Sequence, residues 1–207
     1  MSAGMVLLMI VAVLVYCGLL QRVLDRMYLT DRAALLLIGA MLVGTFLPGI
    51  QLGRISVNIG GAVIPFGVCV WLFLKADEPL ERWRAALGSV ITAAAVYGLT
   101  LLLPAEPEAL PLDPTYFCAL LGGAVAWLLG RSRRCAFICG VLGVLLADTA
   151  VAIVNWARGI DAALALGGGG IADAAVLSGL LSVLLCELIG EVAERILRRR
   201  SRGGAQG

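Results

Sequence analysis

Two aspartates stand out in apolar stretches that otherwise carry few acidic residues. Asp148 lies deep inside one stretch, and Asp173 opens another directly after the glycine run Gly167–Gly170. Two carboxyl groups that lie close together cannot both ionise, so they share a proton and their pKa values split. The ionised carboxylate can activate a water while the protonated one polarises a carbonyl group. The pair Asp148 and Asp173 is therefore the first candidate for catalysis.

Polar and glycine residues accompany these acids and are candidate substrate-binding residues. They are Asn58, Gly60, Gly61, Asn155, Gly169 and Gly170. Asn155 follows Asp148 by seven residues, so both project from one helix face. Glycine allows a substrate backbone to approach closely. Structural roles remain open, because buried asparagines often join helices and an aspartate after glycines is a good N-cap.

The sequence does not indicate a metal or a cofactor. The chain has no histidine, and Cys135 and Cys139, although i,i+4 neighbours on one helix face, have no second cysteine pair at ligand spacing. We expect the cysteines to be small apolar packing residues in the reduced state, because most of them fall toward the predicted cytoplasmic side.

Seven apolar stretches must position the candidate residues. The chain is 61% hydrophobic and 14% charged, with a mean hydropathy of +0.99, well outside the composition of soluble domains. Each stretch has about 16 to 22 residues, close to the ~20 that a helix needs to cross a bilayer. We predict an all-α bundle of seven transmembrane helices. The stretches are Met5–Leu20, Ala33–Ile50, Ile55–Leu74, Ala85–Leu103, Thr115–Gly130, Cys135–Trp156 and Ile171–Ile189.

Basic residues give the predicted orientation. With seven crossings, every lysine and arginine except Arg54 and Arg158 falls on one face. Cytoplasmic loops carry this excess, so the N-terminus is expected outside and the C-terminus inside the cytoplasmic membrane. We expect one transmembrane domain over residues 1–194 and a basic, flexible tail over 195–207. The lipid bilayer is the predicted partner, and nothing suggests nucleic acid.

The connection before the last helix is unusual. Gly159–Ala172 is too apolar for an ordinary aqueous loop and too rich in glycine for a stable helix. Irregular backbone is tolerated at membrane depth where it is buried in protein or lines a cavity. We therefore predict a re-entrant or interfacial segment packed among the helices.

The two aspartate segments resemble those of the intramembrane aspartyl proteases, namely presenilin, signal peptide peptidase and the prepilin peptidases. Those enzymes pair an aspartate on one helix with a Gly-x-Gly-Asp motif on another, whereas this chain reads Gly170-Ile-Ala-Asp173. Ala147 replaces the usual tyrosine before the first aspartate, and Pro65 is followed by phenylalanine rather than by Ala-Leu. The resemblance implies that Asp148 and Asp173 share the general acid and base work.

A second resemblance covers the third to seventh predicted helices. The segment from Asn58 to Pro65 reads Asn-x-Gly-Gly-x-x-x-Pro, Ala147-Asp148 follows a leucine, and the run from Gly167 reads Gly-Gly-x-Gly-x-x-Asp173. These motifs are similar to those of an uncharacterised family of prokaryotic multi-pass membrane proteins, a domain of unknown function. In that family a glycine precedes Ala-Asp and another follows the last aspartate; Leu146 and Ala174 replace them here.

The leading expectation is a paired-aspartate site in the outer half of the bilayer that cuts a membrane-embedded peptide. One alternative is a small transporter in which the same carboxylates bind a proton or cation. Another is a non-enzymatic assembly factor whose acids hold a partner helix. The sequence predicts neither the substrate nor the oligomeric state.

Overall fold

The computed structural model describes residues 30–76, 78–102, 120–122, 124–125, 127–129 and 132–203. These residues are mostly helical, with a small three-stranded sheet between the helices. The α-helices are α1 (Asp31–Phe46), α2 (Ile64–Leu74), α3 (Pro79–Leu102), α4 (Arg133–Ala157) and α5 (Ala174–Gly203). The strands are β1 (Ile50–Leu52), β2 (Ile55–Val57) and β3 (Leu164–Leu166), and a π-helix (Ile59–Val63) and a 3₁₀ turn (Gly170–Ala172) precede α2 and α5.

The apolar stretches predicted most of these helices. Within the described residues, α3 and α4 are long and apolar enough to cross a membrane, and α1, the stretch Ile59–Leu74 and the first part of α5 are shorter apolar helices. The described residues between Leu120 and Leu129 are helical, whereas the predicted helix Met5–Leu20 lies outside the described residues. The helix α5 continues to Gly203, across most of the segment that the sequence suggested as a tail.

Two adjoining helix boundaries were wrong, because a β-hairpin lies where one predicted helix was to end and the next to begin. The predicted helix Ile55–Leu74 starts as strand β2, and Ile50, the predicted end of the preceding helix, lies in β1. The two strands pair antiparallel around a turn in which Gly53 has a φ of 63°. Ile50-Gln51-Leu52 and Ile55-Ser56-Val57 alternate apolar and polar residues around Gly53-Arg54, as in a hairpin, but three residues are too few to identify a strand by periodicity alone. The seven-helix prediction therefore missed this hairpin.

The third strand comes from the glycine-rich connection. β3 pairs parallel to β2, with Ile55 opposite Leu164 and Val57 opposite Leu166. The indole N–H of Trp156 donates to the carbonyl of Ala162 at 2.7 Å and so ties the end of α4 to this connection. The connection predicted as re-entrant or interfacial thus contains a strand, a glycine turn and a 3₁₀ turn.

Helices α3, α4 and α5 form the centre of the packed core. Gly88 of α3 lies against Cys139 of α4, and four residues later Thr92 lies against Gly143, so α3 and α4 run parallel. Gly140 of α4 lies against Gly179 of α5. The glycines permit this close packing because a Cβ atom at Gly140 would come within 2.8 Å of the Gly179 Cα atom.

Two ion pairs connect the start of α4 to the start of α3 and to the middle of α5. Arg134 pairs with Glu81 at 3.0 Å, and Arg133 pairs with Glu187. Ser132, the N-cap of α4, also donates to Glu81 at 2.6 Å. Glu187 of α5 is thus paired with a basic residue at the start of α4.

Glu187→Gln is expected to destabilise the protein by about 2 kcal/mol, because it leaves the charge of Arg133 without its partner in a poorly hydrated position. The side chains of this pair are only 14% and 17% exposed. Denaturant titration of the purified protein measures the change. The double variant Arg133→Gln/Glu187→Gln should recover part of the loss, and Arg54→Gln, which breaks an exposed pair, should cost less than about 0.5 kcal/mol. Equal losses for Glu187→Gln and Arg54→Gln would contradict the prediction.

Candidate functional site

Asp173 lies at the junction between the glycine turn and α5. One carboxylate oxygen accepts the backbone N–H of Ala175 at 3.0 Å and the other accepts that of Gly169 at 3.1 Å. Its backbone carbonyl accepts the N–H of Leu177. Asp173 therefore caps α5 and also closes the turn before it. Since a carboxylate has about four lone-pair sites, acceptor capacity remains on both oxygens.

Asp148 lies on α4, nine residues before the helix ends at Ala157. Its side chain is exposed rather than enclosed by the bundle. Within the described part of the chain its carboxylate forms no hydrogen bond and no ion pair. Unlike Asp173, Asp148 has no visible structural role.

The packing register of α4 and α5 places the two aspartates at the same height. Arg133 faces Glu187, and seven residues later Gly140 faces Gly179, so the helices run antiparallel. Eight further residues along α4, about 12 Å, lead to Asp148, and the same register places it opposite residue ~171. Asp173 lies close to this position. The carboxylate of Asp173 also exerts a Coulombic repulsion on that of Asp148.

The glycines of both motifs pack against each other rather than around an open cleft. A Cβ atom at Gly61 would lie 2.6 Å from the carbonyl oxygen of Gly170 and 2.9 Å from the Cα atom of Gly167. A Cβ atom at Gly60 would lie 2.6 Å from the backbone nitrogen of Thr45. We call the set Gly60, Gly61, Gly167, Gly170 and Thr45 the glycine junction. It fixes the turn before Asp173 against α1 and the π-helix.

The two candidate asparagines have different environments. The side chain of Asn58 accepts the N–H of Gly61 at 3.0 Å and so caps the π-helix, while its backbone N–H donates to Leu166 of β3 at 2.9 Å. Asn155 is half-buried near the end of α4, and its carbonyl accepts the N–H groups of Arg158 and Ile160. Asn58 thus has a structural role, which the sequence analysis had weighed as an alternative to ligand binding.

The basic residues at this end of the bundle do not neutralise the aspartate pair. Arg54 pairs with Asp161 at 3.0 Å, and both side chains are exposed. Arg158 follows the last residue of α4 and is also exposed. Among the described residues, neither Asp148 nor Asp173 forms an ion pair with an arginine.

Sequence reasoning missed one residue of this region. Thr45 of α1 lies against both Gly60 and Gly170, and its hydroxyl donates to the carbonyl of Met41 at 2.8 Å. A hydroxyl inside an otherwise apolar helix was the available signal. It was overlooked because a threonine that bonds the preceding turn is common in apolar helices.

The two roles of Asp173 can be separated by substitution. Asp173→Ala should lower the free energy of unfolding by about 2 kcal/mol, because it removes the helix cap and the hydrogen bond that closes the turn. Asp173→Asn should cost less than about 1 kcal/mol, since asparagine is also a good cap. Denaturant titration of the purified variants checks this difference. If both variants are equally unstable, the charge itself is needed for folding.

A family model described as "Protein of unknown function (DUF1614)" matches residues 40–185, so the chain belongs to this family. The match includes both aspartates, the glycine junction and helices α2 to α4. No curated protein and no solved structure matches the chain.

Proposed function

We propose that this member of the DUF1614 family is an integral membrane protein whose Asp148 and Asp173 cleave a membrane-embedded peptide. One observation supports the proposal: the register of α4 and α5 brings Asp148 and Asp173 to similar heights, and Asp173 acts electrostatically on Asp148. Two close carboxyl groups favour a shared proton. This protonation state supplies a general base for water and a general acid for the peptide carbonyl.

The proposal includes a multi-pass arrangement in the cytoplasmic membrane, with the aspartates toward the outer face. Two helices of sufficient length and apolar character support membrane insertion. α3 and α4 run parallel and α5 runs opposite to them. Two parallel spanning helices must have an odd number of crossings between them, and one helix between α3 and α4 meets this requirement. The helical residues between Leu120 and Leu129 suit such a crossing.

The packing of the candidate glycines reduces the number of residues that we propose to contact the substrate. Gly60 and Gly61 are buried against backbone of the same chain and Gly170 against the Thr45 side chain, so we assign all three to positioning the turn before Asp173. Gly169 is exposed and donates its N–H to Asp173. We therefore propose that Gly169, together with Asn155 on the same helix face as Asp148, borders the bound peptide.

A second candidate is proton- or cation-coupled transport by the same carboxylates. Its support is two poorly exposed ion pairs, Glu81 with Arg134 and Arg133 with Glu187, which join the starts of α3 and α4 to each other and to the middle of α5. A transporter needs such a closed end while the opposite end is open. Cleavage needs no opening at this end, so the two candidates differ in whether the ion pairs must separate.

The deciding experiment compares membrane peptides from cells that make the wild type or Asp148→Asn at equal levels. Asp161→Asn is the matched control, because Asp161 is exposed and paired with Arg54. Proteolysis predicts that at least one membrane-embedded peptide accumulates uncut with Asp148→Asn and is cut with the wild type and the control. Identical profiles for all three proteins would exclude cleavage of a native peptide, and acid-driven ion uptake into vesicles that contain the protein would then support transport.

A further inference from the structure

Asp173 holds the glycine turn closed through its side chain. The turn is built by backbone bonds from Gly170 to Gly167 at 2.8 Å and from Asp173 to Gly170 at 3.0 Å. Gly167 and Gly170 have positive φ values of 68° and 61°. The carboxylate adds the bond from the Gly169 N–H across the turn and simultaneously caps α5 through Ala175. One ionisable group therefore holds both the turn and the helix start.

The turn is also in contact with two other elements. Gly167 packs against the backbone of Ala62 in the π-helix, and Gly170 packs against Thr45 of α1. A change in the turn cannot be absorbed locally, because Gly167 meets backbone atoms of the π-helix and Gly170 meets the β-branched side chain of Thr45. Any opening of the turn must therefore shift the turn relative to α1 or the π-helix.

We infer that the Asp173 carboxylate is a proton-sensitive latch that keeps the glycine turn closed when ionised and releases it when protonated. Hydrogen bonds to an ionised acceptor are roughly twice as strong as neutral ones. Protonation converts one carboxylate oxygen into a hydroxyl group, so the bonds from Gly169 and Ala175 both weaken. The latch is closed at high pH and opens as the pH falls through the pKa of Asp173.

In the described part of the chain, few charged groups face the latch. From α4 the facing group is Asp148, which carries a charge of the same sign. The contacts from α1 and the π-helix are made by Thr45, Ala62 and glycine backbone, which do not titrate. Arg54 and Asp161 pair with each other at the sheet. The latch does not require peptide cleavage, so its test can succeed or fail independently of the test of the proposed function.

Amide hydrogen exchange in a lipid bilayer, measured at a series of pH values and corrected for intrinsic rates, tests the latch. In the wild type, the amides of Gly169 and Ala175 should lose about tenfold in protection as the pH is lowered. Asp173→Asn should remove this pH dependence while α5 stays folded. Amides in the middle of α3 serve as the internal reference and should not change.

Two further variants make the outcome decisive. Asp148→Asn and Asp161→Asn should both keep a pH-dependent loss of protection at Gly169 and Ala175. Constant protection in the wild type would overturn the latch. So would a pH dependence that survives Asp173→Asn, or one that Asp148→Asn abolishes, because another group would then be the sensor.

Discussion

Asp148→Asn is expected to reduce peptide cleavage by roughly 10³-fold, the size expected when one partner of a general acid–base pair is lost. The asparagine cannot hold or release the shared proton, so Asp173 is left without its partner. Stability should not suffer, because within the described residues Asp148 forms no hydrogen bond or ion pair. Asp148→Asn also removes a like charge near Asp173, which should stabilise the fold slightly.

The measurement is the rate of cleavage, in reconstituted bilayers, of the peptide that accumulates with this variant in cells. Thermal unfolding of the same preparation is the control for folding. Asp148→Glu tests the geometry: it retains a carboxyl group but lengthens the side chain, so it should restore only part of the rate. A rate for Asp148→Asn within about threefold of the wild type would exclude an acid–base role for Asp148.

Gly61→Ala is expected to have the largest effect on stability, a loss of at least about 3 kcal/mol. The new methyl group would lie 2.6 Å from the Gly170 carbonyl oxygen and 2.9 Å from the Gly167 Cα atom. Both neighbours are backbone atoms, which have no rotamer to change. The turn would have to move away from the π-helix, and its bonds to Asp173 would be strained.

The matched control is Gly67→Ala on α2, six residues along the same segment. No atom lies within 4 Å of a Cβ atom there, and alanine favours the helix by about 0.5–1 kcal/mol over glycine. The amount of folded protein in the membrane and its thermal unfolding check both variants. Similar behaviour of Gly61→Ala and Gly67→Ala would show that the close approach at Gly61 is not essential.

The tertiary structure gives the glycines of the family motifs a packing role that the sequence did not reveal. Their glycines were candidates for substrate contact, with close packing as the alternative for Gly60 and Gly61; in the structure Gly60 and Gly61 face backbone of the same chain and Gly170 faces the Thr45 side chain. A glycine pattern indicates that something approaches closely. It does not say whether the approaching group is a ligand or another segment, because that depends on contacts between residues distant in the sequence.

The helices and the cap at Asp173 were predictable from local sequence, because the length of an apolar run and a glycine run before an aspartate are both visible within one short segment. The short hairpin Ile50–Val57 was not, because its strands are stabilised partly by β3, more than a hundred residues later. The exposure of Asp148 was not predictable either, because the burial of a helix residue depends on which other helices pack beside it.

The sequence by itself determined the apolar helices, the two acids and the glycines before Asp173, because each follows from composition and spacing along the chain. Only the tertiary structure decided that Asp148 and Asp173 share a height, that the glycine motifs form one junction, and that Asp173 closes the turn. These features depend on the register between α4 and α5 and on pairing of β2 with β3, and such long-range packing leaves no periodic signal in a single sequence.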